Sequence, residues 1–255
     1  MHVPRAISAG RKPDRILLAV HGTDRVNQQV RDLFSDFAES TNTVVVAPLF
    51  PAGLGHDDEL DDYKLLSVGS LRFDLIALAM VEEVAARYAV DASRFMLFGF
   101  SGGAHFAHRF FYAHPGRLSA VAVGAPGSVT LPQSNQRWWV GLANFAEVFG
   151  HEPDWPAIHQ VLIHLIVGRE DTDVSEIIQS PVDPYWMEGA LAAGKNRVER
   201  LSTLYKQLSV LQCQVTFELL DGVSHELEPI VQAADRFFRQ RLAAGCTALQ
   251  IPRVP

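Results

Sequence analysis

One stretch constrains this chain more than any other: residues 94–104, reading Arg-Phe-Met-Leu-Phe-Gly-Phe-Ser-Gly-Gly-Ala. Residues 95–98 form a continuous apolar run, the pattern of a strand buried on both faces of a parallel sheet. The run breaks at Gly99-Phe100-Ser101-Gly102-Gly103, which fits G-x-S-x-G, and a helical segment over residues 104–114 follows. Strand, sharp turn and helix in that order hold a serine at a strained backbone angle with its hydroxyl above the end of the sheet. Gly99 and Gly103 then remove Cβ atoms where the three pieces crowd together. The pattern alone is weak, because an ordinary Gly-rich strand-to-helix turn also satisfies it. The rest of the chain has to supply partners for Ser101.

Taken in order, the chain alternates strand and helix signals. Residues 1–14 read as a loose arm, and residues 16–20 as a short strand that ends at His21-Gly22-Thr23-Asp24. Val30, Leu33, Phe34 and Phe37 recur at helical spacing and predict one helix over 26–39. A strand at 44–47 is stopped by Pro48 and Pro51, a Gly- and Asp-rich loop runs to about Ser70, and a helix face spans 73–88. After the Ser101 turn, strands are expected at 118–123, 161–167 and 215–220. A helix is expected within 187–210 and a closing one over 227–244. No repeat or linker divides the sequence, so residues 1–255 read as one domain. The expected fold class is α/β, a doubly wound, mostly parallel sheet with helices on both faces. Ligands in such sheets bind beyond the carboxyl ends of the strands. The positions that matter are therefore His21-Gly22-Thr23, Ser101, the Gly168-Arg169-Glu170-Asp171-Thr172-Asp173 turn, and Asp221-Gly222-Val223-Ser224-His225.

A serine hydroxyl is a poor nucleophile until a base accepts its proton, and that base needs a third group to fix its tautomer. His225 follows the last strand and is placed to reach back over the Ser101 turn. A surface histidine beside Glu226 is the bland alternative. For the acid, Asp171 competes with Glu170 and Asp173. After the first strand, the backbone N–H of Thr23 or a neighbour, with that of Gly102, could hold a developing oxyanion. A simple strand-to-helix turn capped by Thr23 or Asp24 reads equally well, and both can hold together. His105 and His108, three apart on one helix, invite a metal reading, but no further ligand falls at zinc-site spacing, so no metal is expected. Residues 128–158 lack a period and carry Trp138, Trp139 and Trp155 among several Pro and Gly. Trp138 and Trp139 read either as a substrate platform or as packing.

Composition excludes several classes. A net charge of −7 and the lack of any Lys/Arg run argue against a nucleic-acid partner. The acidic cluster Asp57-Asp58-Glu59-Leu60-Asp61-Asp62 reads as a solvated loop. Two cysteines, Cys213 and Cys246, are too few for a disulfide framework. The first twenty residues lack the apolar core of a signal peptide, and no stretch approaches the ~20 apolar residues that span a bilayer. The expectation is a cytoplasmic protein with no membrane partner.

Together, His21-Gly22, Gly99-x-Ser101-x-Gly103, Gly168-x-x-Asp171 and Gly222-x-x-His225 make residues 16–244 resemble the α/β-hydrolase superfamily. Within it, the chain is similar to the esterase group that includes feruloyl esterases and polyhydroxyalkanoate depolymerases. The resemblance implies Ser101 as nucleophile, His225 as general base and acid, and Asp171 as the orienting carboxylate. It also implies an oxyanion hole at Thr23 and Gly102, a lid near 128–158, no cofactor, and a short version of the fold that begins at the superfamily's third strand. The expected activity is hydrolysis of a small-molecule carboxylic ester through an acyl-enzyme. Amides, thioesters and lactones pass through the same intermediate, so an amidase, peptidase, thioesterase or lactonase is the nearest rival. A lyase using the same triad, or a non-catalytic binding protein on this fold, is more distant.

Overall fold

The computed structural model of the protein describes residues 1–8, 10–54, 59–177, 180–182 and 185–248. Asp57 and Asp58 of the acidic cluster lie outside them, as does the side chain of Cys246. Cys213 is buried and free.

Six strands form one parallel sheet: β1 Arg15–Val20, β2 Thr43–Val46, β3 Phe95–Phe100, β4 Leu118–Gly124, β5 Leu162–Gly168 and β6 Val215–Leu220. Their spatial order is β2-β1-β3-β4-β5-β6. The central strand β3 is buried along its whole length, because β1 and β4 flank it and helices cover both faces. That accounts for its unbroken Phe-Met-Leu-Phe run where an antiparallel strand would alternate. The chain leaves β1 in one direction to form β2, then returns to the other side of β1 to form β3. The order therefore reverses between β1 and β3, the place where sheets of this class hold ligands.

The main helices are α1 Asn27–Leu33, α2 Ser35–Thr41, α3 Phe73–Tyr88, α4 Gly102–Ala113, α5 Arg197–Val210 and α6 Leu227–Ala248. Helices α1, α2 and α6 pack on one another, with Phe37 against Phe238. Helix α4 packs on β1, β3 and β4, and all its residues but His105 are buried. A helix that is apolar around most of its circumference belongs in the middle of a layer.

Three expectations are corrected. The helix expected over 26–39 is two helices, broken at Phe34, whose buried ring packs edge-on against Phe98 of β3. The helix expected within 187–210 starts only at Arg197, because Gly194 takes a positive φ of 139° and the Asn196 side chain caps Glu199 N–H. The first residues are not loose: His2 pairs antiparallel with Val45, and Glu39 accepts from the backbone N–H of Arg5 that opens the short helix Arg5–Ser8. Among the described residues, no helix is long and apolar enough to cross a membrane.

Candidate active site

Ser101 stands between β3 and α4 with φ 51° and ψ −114°, a backbone conformation that side-chain-bearing residues rarely adopt. Its N–H donates to Gly124 O at 2.8 Å, and Ser101 O accepts from the N–H groups of Ala104 and His105, which starts the helix. The turn is possible because α4 begins almost in contact with β1: a Cβ at Gly103 would lie 2.2 Å from Val20 O. Only glycine fits there.

His225 lies three strands away in the sheet order, after β6, at roughly 5 Å of lateral spacing per strand. The loop after β6 comes back across the sheet by lying on the turn after β5. Arg169 N–H donates to Leu220 O and Glu170 N–H to Val223 O, both at 2.9 Å. A Cβ at Gly168 would lie 2.2 Å from Val223 O, so this glycine provides the seat. The His225 ring then stacks on Phe100 at 4.8 Å. Its Nε2 lies 3.0 Å from Ser101 Oγ and its Nδ1 lies 2.7 Å from Asp171 Oδ2. Ser101, His225 and Asp171 are thus one hydrogen-bonded chain.

Asp171 is fully buried and uses its second oxygen as well, accepting from Arg197 Nη1 at 3.2 Å. Arg197, also buried, donates to Asp173 O at 3.2 Å and lies 3.7 Å from the exposed Glu176 carboxylate. Asp173 faces away, accepting from the N–H and hydroxyl of Ser175 at 2.9 Å.

Thr23 and Gly102 adjoin across the Ser101 turn: a Cβ at Gly102 would sit 3.1 Å from Thr23 Oγ1, 2.4 Å from the Tyr63 hydroxyl and 2.7 Å from Lys64 Cε. His21 holds the first loop in place. Phe50 N–H donates to its Nε2 at 3.0 Å, so Nδ1 carries the proton and donates to Gly22 O at 2.7 Å. Burial keeps this ring below the usual histidine range, and neutral. The Tyr63 hydroxyl donates to His21 O at 3.2 Å, and burial raises its pKa well beyond that of a free phenol.

Two cavities meet at Ser101 and share Thr23, Asp61, Lys64, Glu176 and Arg197. The first is lined by Gly102, His105, Arg109, Gly127, Ser128 and Trp139, with a cavity volume of about 50 Å³. The second, with a cavity volume of about 430 Å³, is lined by Gly22, Phe100 and His225.

Trp138 and Trp139 separate. Trp139 lines the first cavity, with its Nε1–H on Tyr185 O at 2.8 Å. Trp138 packs edge-on against Phe145 and Phe149 and lines neither cavity, which matches the packing alternative of its two readings. His105 and His108 hold the 128–130 loop against α4. The Nε2 atoms of the two rings accept from Ser128 N–H at 3.0 Å and Thr130 N–H at 2.9 Å.

Sequence reasoning missed Lys64, Arg109, Tyr185 and Arg197. Lys64 is buried beside Asp61, with which it pairs, and burial lowers its pKa against that pairing. Lys64 comes from an aperiodic loop and Tyr185 from a turn. Arg109 and Arg197 carry no motif. The acidic run at Asp61-Asp62, expected as a solvated loop, holds the buried Asp62 and the half-buried Asp61 that pairs with Lys64.

No protein-family profile matches the sequence, and neither does any curated protein. Solved structures do resemble it. Poly(aspartic acid) hydrolase-1 from Sphingomonas sp. KT-1 superposes with a TM-score of 0.71 at 18% identity, over 89% of this chain and 88% of that one. A poly(3-hydroxybutyrate) depolymerase from Bordetella parapertussis gives 0.72 at 20% identity, over 90% and 80%. An S-formylglutathione hydrolase from Agrobacterium tumefaciens gives 0.59 at 16% identity, over 93% and 86%. Identities this low speak to architecture alone. The chain has the α/β-hydrolase fold.

Proposed function

We propose that this protein is a serine hydrolase that cleaves a carboxylic ester through an acyl-enzyme. The observation that carries the reading is the unbroken relay from Ser101 Oγ through His225 to the buried Asp171 carboxylate. His225 Nε2 takes the proton as Ser101 Oγ attacks the ester carbonyl. Asp171 holds Nδ1–H and stabilises the imidazolium that forms. The backbone N–H groups of Thr23 and Gly102 receive the oxyanion, the second at the N-terminus of α4, where the helix dipole favours negative charge. Collapse of the tetrahedral intermediate expels the alcohol oxygen, to which His225 returns the proton. Water, activated by the same imidazole, then releases the acid and restores Ser101.

The two cavities fit the two halves of an ester. The leaving oxygen has to lie within reach of His225, which lines only the second cavity, so the alcohol belongs there. The acyl group then extends into the first, roofed by the 128–158 segment through Ser128 and Trp139.

A fluorophosphonate probe should label Ser101, and Ser101→Ala should lower kcat on a short p-nitrophenyl ester by about 10⁴-fold or more. Labelling of another serine, or an active alanine variant, would sink the mechanism. A chelator should leave the rate unchanged.

A further inference from the structure

The wall of the first cavity holds a buried guanidinium that no carboxylate of the described residues neutralises by direct contact. Arg109 is 1% exposed and lines that cavity. Nε donates to Thr130 Oγ1 at 3.0 Å, Nη1 to Lys64 O at 2.6 Å and Nη2 to Ser128 Oγ at 3.1 Å, all uncharged acceptors. The Trp139 ring covers one face, 5.0 Å from Cζ. A guanidinium has five N–H donors, so one on each terminal nitrogen is left without an acceptor among the described residues. Burying a charge this deeply is costly unless something pairs with it. Burial accordingly pushes Arg109 down to about 9, with only Asp61, already paired to Lys64, acting in the other direction. His105, in the same wall, is held far below its usual range first by burial and then by Arg109, Lys64, His108 and Arg197, none of them anionic.

A purely structural arginine is the competing explanation, since Arg109 ties together α4, the Lys64 turn and the 128–130 loop. That role explains the three hydrogen bonds. It does not explain why a full charge with two N–H donors to spare was kept in the wall of a cavity that also reaches Ser101.

We infer that the acyl group of the substrate ends in a carboxylate that pairs with Arg109, so that the ester cleaved is the half-ester of a dicarboxylic acid. The inference rests on the serine-esterase reading and on the assignment of the first cavity to the acyl side. The eight residues from Ser101 to Arg109 on α4 set a ceiling of about 12 Å on the axial separation, and the arginine side chain leans back toward the helix N-terminus. A dicarboxylate of four to six carbons fits that span. Its distal oxygens complete the donors that Thr130, Lys64 O and Ser128 leave open, and its chain lies along Trp139.

The test compares pairs of methyl esters that differ only at the far end, the monomethyl esters of succinate, glutarate and adipate against the corresponding ester-amides. Wild-type protein should favour one of the carboxylates by about tenfold or more in kcat/KM, the range of a charge-assisted hydrogen bond over a neutral one. In Arg109→Gln that ratio should fall to near one, and in Arg109→Lys it should be intermediate. Each ratio is internal to one variant, so a loss of overall rate or folded fraction does not blur it. Wild-type protein that turns over the ester-amides as well as the half-esters overturns the inference and leaves the esterase reading standing. Inactivity on every ester, p-nitrophenyl acetate included, overturns the esterase reading instead. In that event calorimetry of Ser101→Ala with sodium glutarate and sodium adipate decides the carboxylate site separately. Saturable binding that Arg109→Gln abolishes supports it, and no binding overturns it.

Discussion

Asp171 and Asp173 are two residues apart in one turn, yet only Asp171 is withdrawn from solvent and aimed at His225. Asparagine at the orienting position preserves shape but favours the wrong imidazole tautomer, a change that costs about 10⁴ in kcat in trypsin-like enzymes. Asp171→Asn should therefore lose nearly all activity, while Asp173→Asn should keep at least a tenth. Steady-state kinetics on a p-nitrophenyl ester separates them, and the reverse pattern would hand the orienting role to Asp173. The positions of Ser101, Asp171 and His225 were legible in the sequence because each follows an apolar run at a strand end, where topology confines the choices. The cations were not. Arg109 sits between His108 and Phe110-Phe111-Tyr112 on a mostly apolar helix, and an arginine in such a setting normally snorkels to the surface. Arg197 lies 26 residues beyond Asp171, so their pairing becomes visible only in the folded chain.

Among the elements, the segment 128–158 behaves as two parts. Trp139 belongs to the wall of the first cavity and Trp138 to a packed cluster with Phe145 and Phe149. Trp139→Ala should shift the preference among acyl lengths, because it removes the surface on which the chain lies. Trp138→Ala should instead cost about 3–5 kcal/mol of stability with little change in preference. Urea unfolding and a chain-length series of esters read the two effects independently. Equal stability and equal selectivity in both variants would remove the tryptophans from the site. The strands and α3 were readable from periodicity, whereas the break at Phe34 and the late start of α5 were not. Both depend on tertiary partners, Phe98 in one case and the crowding at Gly194 in the other, where a Cβ would approach Glu199 Cβ to 2.5 Å.

At the scale of the whole molecule, buried histidines set the response to acid. His108 is pushed down to about 3, by burial first and then by Arg109, and burial also lowers His21 and His105. An unfolded chain protonates all three near 6.5, so the native state binds fewer protons below that value. The stability they contribute is full above about pH 6.5 and is lost as pH falls toward their native values. The slope is up to about 1.4 kcal/mol per pH unit for each histidine. Asp74 works in a lower window. Burial opposes its charge, but hydrogen bonds from His114 and Arg72 outweigh that and hold it at about 2. Its contribution is present above its unfolded value near 3.8 and disappears only below that. The urea midpoint should therefore fall clearly between pH 7.5 and pH 5, and His108→Gln should flatten the fall. A midpoint that does not move over this interval would contradict the assignment of neutral, buried rings.

The sheet ends in two strands, and the molecule protects them differently. On β6, Glu218 reaches His164 and Arg236, so charge lies along that border. On β2, Val45 is met by the backbone of His2, with bonds of 2.8 and 3.0 Å in both directions. The stretch Thr43–Val46 is a short run of valines with no charge of its own to discourage another chain from pairing with it. The opening residues therefore act as a detachable selvedge. A version lacking residues 1–8 should keep its site chemistry but self-associate as its concentration rises, and light scattering against concentration would show this. A truncated protein that stays monomeric would mean that the edge is guarded by something other than His2.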